Sequence, residues 1–162
     1  LVKRIELSHG QFALIDDEDF ERINQNKWKF NNRGYAVRLT YQNKKWKTHS
    51  MHRVILDAQE GQIVDHKNGD RLDNRKENLR IANPSQNCWN SKLCTKNTSG
   101  YKGVTYVKKT GKWAAQIHLK NKKISLGSFE SRHDAARMYN FWAIDLFGEF
   151  AKLNVINEGE TK

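Results

Sequence analysis

One stretch constrains this chain more than any other: Gln62 to Asn90, where short apolar runs alternate with dense polar punctuation. Ile63-Val64 is β-branched and delivers Asp65-His66 at the end of a predicted strand. Asn68-Gly69 follows, a pair suited to the positive φ of a tight turn. A second short apolar piece surrounds Leu79 and Ile81, and a helix starts after it. Asn83 caps that helix, and Pro84 takes its first position, where a missing N–H costs little. Asn87 then falls one turn in. Strand, loop, strand, helix is a compact way to aim a carboxylate, an imidazole and an amide oxygen at one point. Asp65 and Asn87 offer hard oxygen donors of the kind Mg²⁺ prefers, and the pKa of His66 suits proton abstraction from water near neutral pH. Together they suit metal-assisted phosphodiester cleavage.

Asp65-His66, Asn74-Arg75, Glu77-Asn78-Leu79-Arg80 and Asn87 resemble the HNH nucleases with a ββα-metal core, and among them the homing endonucleases of phage introns and similar mobile elements. The resemblance implies Asp65 and Asn87 as ligands of one Mg²⁺ or Mn²⁺ ion per active site, His66 as general base and Asn78 as the brace of the loop holding it. The last letter of the motif is Asn here instead of His. Arg75 and Arg80 are candidate phosphate clamps. A backbone carbonyl is expected to hold Nδ1 of His66. His52-Arg53, ahead of Val54-Ile55-Leu56, reads as hydrogen-bonded scaffolding, with Arg53 within possible reach of a phosphate.

Upstream, Val2 to Leu7 and Phe12 to Ile15 read as strands about Gly10, and Asp16 or Asp17 starts a short helix through about Gln25. Trp28 to Phe30 is assigned to the core. Tyr35 to Tyr41 and Trp46 to Met51 form a hairpin, and a short helix spans His52 to Ala58. The helix carrying Asn87 continues to about Leu93.

Downstream, nine lysines and no acidic residue lie between Ser91 and Ser128. Within that run, Trp113, Ala115, Ile117 and Leu119 alternate with Lys112, Ala114, Gln116 and His118, as in a half-buried antiparallel strand. Lys102 to Val107 and Lys122 to Leu126 flank it through turns at Thr110-Gly111 and Asn121-Lys122. Ser131 and Asp134 make a capping box for a helix running to Phe147, with Ala135, Met138, Tyr139, Trp142 and Leu146 on one stripe, Phe141 also in the core and Gly148 as its stop.

Tyr101-Lys-Gly-Val104, Gly111 to Ile117, Leu126-Gly-Ser-Phe129, Asp134 to Tyr139 and Leu153-Asn154 resemble the ethylene-response-factor (apetala-type) DNA-binding domain over about 55 residues. In that family the sheet reads the major groove. The DNA-facing set is Lys102, Thr105, Val107, Lys108, Lys112, Gln116, His118, Lys123 and Ser125. These positions lack the several arginines and the Trp of the plant pattern, so the plant GC-rich site is not carried over.

The expected fold class is α+β: a small N-terminal β-rich scaffold with a ββα-metal core, then a three-stranded antiparallel sheet packed on one helix. The nuclease part spans 1–92 (core 52–92), a linker 93–100 and the DNA-binding part 101–156. A net charge of +11 points to a polyanionic partner, taken as double-stranded DNA. No apolar run approaches a bilayer's thickness and no signal segment opens the chain, so a cytoplasmic, intracellular location is expected, in the host cell if phage-encoded. Cys88 and Cys94 carry no metal or disulfide spacing and read as reduced thiols. No protein partner is indicated, and the chain is expected to act as a monomer or a weak dimer on DNA. Two other readings stay open: a non-catalytic DNA-binding regulator retaining an HNH shell, and an RNA binder. The second lacks a stacking platform of aromatics on the polar sheet face.

Overall fold

The computed structural model describes residues 1–120 and 122–156. Asn121, part of an expected turn, and the tail from Asn157 lie outside the described residues. The chain divides into two compact units, Leu1–Asn87 and Cys88–Lys162. Among the described residues the architecture mixes helices with four small sheets, all of whose strand pairs are antiparallel.

In the first unit, strands β1 (Val2–Glu6) and β2 (Phe12–Asp16) pair and lead into helix α1 (Asp17–Asn24). Strands β3 (Lys29–Phe30), β4 (Ala36–Gln42) and β5 (Lys45–Ser50) form a second sheet, with β4 in the middle. Asn43 and Lys44 connect β4 to β5 with φ of 52° and 59°, the two-residue turn that matches the twist of a hairpin. Helix α2 (Met51–Ile55) is one turn, shorter than expected, because Asp57 takes a positive φ of 48° and ends it. Strands β6 (Ile63–His66) and β7 (Leu79–Ala82) pair, and helix α3 (Pro84–Trp89) follows. α3 stops at Trp89, short of Leu93. Its start is a reciprocal cap: the Asn83 Oδ1 accepts from the Gln86 amide at 2.9 Å, and the Gln86 Oε1 accepts from the Asn83 amide at 2.8 Å.

The core of this unit gathers Ile5, Ala13, Ile15, Ile23, Met51 and Leu79 from β1, β2, α1, α2 and β7. Trp28 is buried with them, its indole donating to the Ile23 carbonyl at 2.9 Å, whereas Phe30 is only half-buried.

In the second unit, strands β8 (Val104–Val107), β9 (Lys112–Leu119) and β10 (Lys122–Phe129) make a sheet with β9 central. Helix α4 (Arg132–Phe147) packs on all three strands. Its N-cap is Ser131, which accepts from the His133 amide; Asp134 does not complete the expected box but pairs with Arg137 at 2.7 Å. Gly148 ends the helix at a φ of 53°. The buried stripe is Ala135, Ala136, Tyr139, Ala143 and Phe147. Trp142 and Phe141 are exposed at 37% and 67%, contrary to the core assignment. Alanines let α4 approach the sheet closely, so the buried line runs along the small residues and the two large aromatics fall outside it.

Candidate active site and sheet face

Asp65 and His66 close β6, opposite Arg80 and Leu79 of β7, and both are buried. The segment between the strands is tied down twice. Its backbone joins β2 as a short parallel bridge, with the Leu14 amide donating to the Leu72 carbonyl and the Asn74 amide to the Leu14 carbonyl, each at 2.8 Å. The Asn78 side chain then spans the segment: its Oδ1 accepts from the Asn68 amide at 3.0 Å, and its Nδ2 donates to the Asp73 carbonyl at 2.8 Å. The sequence placed Asn78 as a brace, and these two bonds have the geometry of one.

Around His66 stand groups from three elements. The His52 ring of α2 meets it edge to face with centroids 5.0 Å apart, and the Tyr35 ring, just before β4, lies at 6.0 Å. Tyr35 in turn carries the Arg71 guanidinium 4.8 Å above its face. Burial lowers the His66 pKa, opposed by the Asn74 side chain and by the carboxylates of Asp65, Asp70 and Asp73. Burial pushes His52 down to about 3, helped by the neighbouring His66 and Arg53. Both rings are neutral at pH 7. Nδ1 of His52 is buried with no hydrogen-bond partner among the described residues, so this histidine packs where hydrogen-bonded scaffolding was expected.

Both expected phosphate clamps are committed to carboxylates. Arg80 is buried and donates through Nε and a terminal nitrogen to Oδ2 of Asp65, at 2.9 and 2.8 Å. Arg75 grips both oxygens of Asp73, at 2.7 and 2.8 Å, and pairs with Glu77. Arg53 donates to the carbonyls of Ala58, Gln59 and Gln62, anchoring the loop before β6. Asn87 is exposed on α3, and its side chain makes no hydrogen bond among the described residues.

The donors fit a hard divalent ion by chemistry: a carboxylate and an amide oxygen, with no thiolate. Among the described residues there is no group of three or more His, Cys, Asp or Glu side chains able to hold an ion.

In the second unit, register puts Thr105 and Val107 of β8, Lys112, Gln116 and His118 of β9 and Lys123 and Ser125 of β10 on one face of the sheet. Thr105, Lys112, His118, Lys123 and Ser125 are exposed, and Lys108 extends the edge beyond β8. Lys112 pairs with Glu130 at 2.8 Å. Lys102 departs from the expected set: its ammonium donates to the carbonyls of Trp89 and Ser91 at 2.6 and 3.1 Å and is partly desolvated, which lowers its pKa. Its donors are spent on those two carbonyls and on the Ser91 hydroxyl.

A family model described as HNH endonuclease matches residues 50–88, which contain α2, β6, β7 and nearly all of α3. Protein 3.8 of Escherichia phage T7 is 33% identical over 92 residues, 57% of this chain and 75% of that protein. An uncharacterized HNH endonuclease of Acanthamoeba polyphaga mimivirus is 29% identical over 153 residues, 91% of this chain and 77% of that protein.

This chain belongs to the HNH endonucleases.

It is thus a DNA-cleaving enzyme, and HNH endonucleases generally use a divalent metal ion. The C-terminal part of this HNH endonuclease is similar to plant factors: an AP2-like ethylene-responsive transcription factor of Arabidopsis thaliana is 37% identical over 59 residues, 36% of this chain and 12% of that protein. An HNH segment with an AP2-like DNA-binding segment is therefore its composition. No solved structure matches it. No helix among the described residues is long and apolar enough to cross a membrane.

Sequence reasoning missed Tyr35 and His52 as neighbours of His66, and Arg71 as the cation over Tyr35. His52 carried a weak signal, being a histidine at the edge of an apolar helix. Tyr35 and Arg71 carried none, since only the tertiary fold brings them there.

Proposed function

We propose that this endonuclease is of the homing type and hydrolyses duplex DNA with one Mg²⁺ or Mn²⁺ ion per site, held by Asp65 and Asn87. The observation that carries the reading is the buried Asp65-His66 pair at the end of β6, inside a segment fixed by Asn78 and by the bridge to β2. The ion, when bound, supplies charge stabilisation at the scissile phosphate and the departing 3′ oxygen.

His66 is neutral at pH 7 and takes the proton of the attacking water as the new P–O bond forms and the P–O3′ bond breaks. Tyr35 and His52 pack the imidazole so that it keeps one orientation, and Asn78 keeps the loop behind it from yielding. Arg80 holds the Asp65 carboxylate by one oxygen and fixes its direction. Arg75 and Arg80 add positive potential next to the phosphate instead of gripping it.

Residues 1–92 make the nuclease part and 93–100 a connection. Residues 101–156 supply sequence readout in the major groove through Thr105, Val107, Lys112, Gln116, His118, Lys123 and Ser125, a sheet face whose shared register supports the assignment. One base and one ion cut one strand, so a monomer nicks and a double-strand break needs a second copy on the DNA. The test is nicking of a plasmid library with Mg²⁺ or Mn²⁺, mapped strand by strand. Chelator is expected to stop cleavage, and His66→Ala to slow it by about 10²–10⁴-fold while DNA binding persists. Unchanged cleavage in His66→Ala, or cleavage that proceeds in chelator, would overturn the mechanism.

A further inference from the structure

The β4–β5 hairpin is left without a role by everything above, and its surface is unusual for one. Leu39, Tyr41 and Trp46 are exposed at 51%, 59% and 70%. Tyr41 and Trp46 are cross-strand partners with ring centroids 5.1 Å apart, so they form a single aromatic platform near the tip. Register puts Leu39 with them on one side of the ribbon and Arg38, Lys45, Lys47 and His49 on the other. Arg38, at the base, lies over Trp28 and donates to Asn26, a structural use. Lys44, Lys45 and Lys47 at the tip pair with no carboxylate among the described residues. From Arg22 to Leu56 the chain carries nine Lys and Arg and not one Asp or Glu.

Where the ribbon is rooted matters as much as what it displays. β4 begins one residue after Tyr35, and β5 ends two residues before His52, the two aromatic neighbours of His66. Both legs therefore spring from beside the catalytic histidine. From the Val37–Ser50 pair to the Gln42–Lys45 pair the ribbon advances five residues, roughly 17 Å at about 3.4 Å per residue. That is about five base pairs of B-DNA at roughly 3.4 Å each.

We infer that the β4–β5 hairpin is a second DNA-contacting element, set edge-on into the groove within about five base pairs of the scissile bond, its lysine side toward the phosphates of one groove wall and its Tyr41–Trp46 side toward the sugars and base edges of the other. The inference rests on duplex DNA being the substrate. A lysine-rich, acid-free ribbon is complementary to a polyanion, and a two-stranded ribbon is an element that the major groove admits. Apolar side chains laid against base steps or sugars account for the exposed aromatic pair in the same contact.

The test uses the full chain carrying His66→Ala, with a mixed-sequence 30-base-pair duplex as the probe and binding followed by anisotropy over a salt series. Replacing Lys44, Lys45 and Lys47 by Ala is expected to lower the slope of log K against log salt by about 2.7, some 0.9 per lost phosphate contact. Trp46→Ala is expected to weaken binding about tenfold with the slope unchanged, a loss of the size one exposed aromatic contact carries. All four side chains are solvent-facing, so the melting temperature should not move, and a melt on each variant checks that. Slope and affinity both unchanged would overturn the inference. So would tighter binding to a 30-nucleotide single strand that depends on Trp46, or a loss confined to self-association in the ultracentrifuge. Plasmid nicking by the chain with intact His66 judges the nuclease reading separately: if nicking fails while the slope still falls, the hairpin assignment stands and the catalytic one does not.

Discussion

His52 and His66 present two imidazoles, ring against ring, with both held uncharged by burial. In the unfolded chain each takes a proton near pH 6.5; folded, His52 takes one only near 3. Below 6.5 the unfolded state binds more protons, so stability falls as the pH drops toward about 3, at about 1.4 kcal/mol per pH unit for a group fully shifted out of range. His66 adds in the same direction. The carboxylate of Asp73, with its pKa lowered mainly by the hydrogen bond from Arg75, adds nothing between pH 6.5 and 5. Melting temperatures should therefore fall as the pH drops from 6.5 to 5, and His52→Phe should remove a large part of that slope. A flat wild-type profile would mean that both rings are solvated.

At this scale the sequence was informative about chemistry and silent about neighbours. The strand that ends in Asp65-His66 and the loop bonds of Asn78 were legible, because a β-branched run, an Asn-Gly turn and a loop Asn limit what the backbone does there. The carboxylate partners of Arg75 and Arg80 were not. An arginine's choice between a phosphate and a nearby Asp depends on which strand pairs with which, and only the β6–β7 register brings Arg80 opposite Asp65.

Among the elements, strands were the most legible, since a side chain that alternates in and out leaves a period of two in the sequence. β9 reads directly from Lys112 to Leu119, and the polar face of the sheet follows from its register with β8 and β10. α4 was legible in extent but not in facing. Its apolar residues form more than one stripe, and closeness of packing chose the alanine line over Trp142. That closeness is visible at Gly103, one residue ahead of β8, where φ is +74°. A Cβ there would stand 2.1 Å from the Tyr139 ring of α4 and 2.6 Å from the Gln116 carbonyl of β9. Neither can retreat, because Tyr139 is buried and the Gln116 amide is bonded to the Gly103 carbonyl at 2.8 Å. Gly103→Ala combines overpacking with left-handed backbone and should cost about 3 kcal/mol or more. The expected outcome is a lower melting transition for the second unit alone, seen by loss of protection in β8–β10 on hydrogen exchange while β1 and β2 stay protected. Equal loss in both units would mean that they unfold as one.

For the whole molecule the decisive quantity is where its charge lies. Arg22 to Leu56 holds nine cationic residues and Ser91 to Ser128 another nine, and neither stretch contains an acidic residue. Of 29 Lys and Arg in all, 29 − 18 = 11 are left for the rest of the chain, which carries all 18 Asp and Glu. The surplus of +11 is thus the sum of two strongly basic stretches, one in each unit, and a remainder that is net acidic. Composition alone gave the sign of the partner; only the division into units shows that each carries its own cationic stretch. Binding to DNA should then be dominated by counterion release from both stretches together. With six or more phosphates neutralised, affinity for mixed-sequence duplex should fall about 10³-fold or more between 50 and 200 mM salt, with chelator present so that no strand is cut. The same titration on a chain in which Lys108, Lys112 and Lys123 are replaced by Ala should lose about 2 to 3 from the slope, comparable to the loss from the β4–β5 lysines. Lys112, already paired with Glu130, should contribute less than the other two. If the wild-type slope is shallower than about −2, fewer than three phosphates are engaged, and the two basic stretches do not act on one duplex.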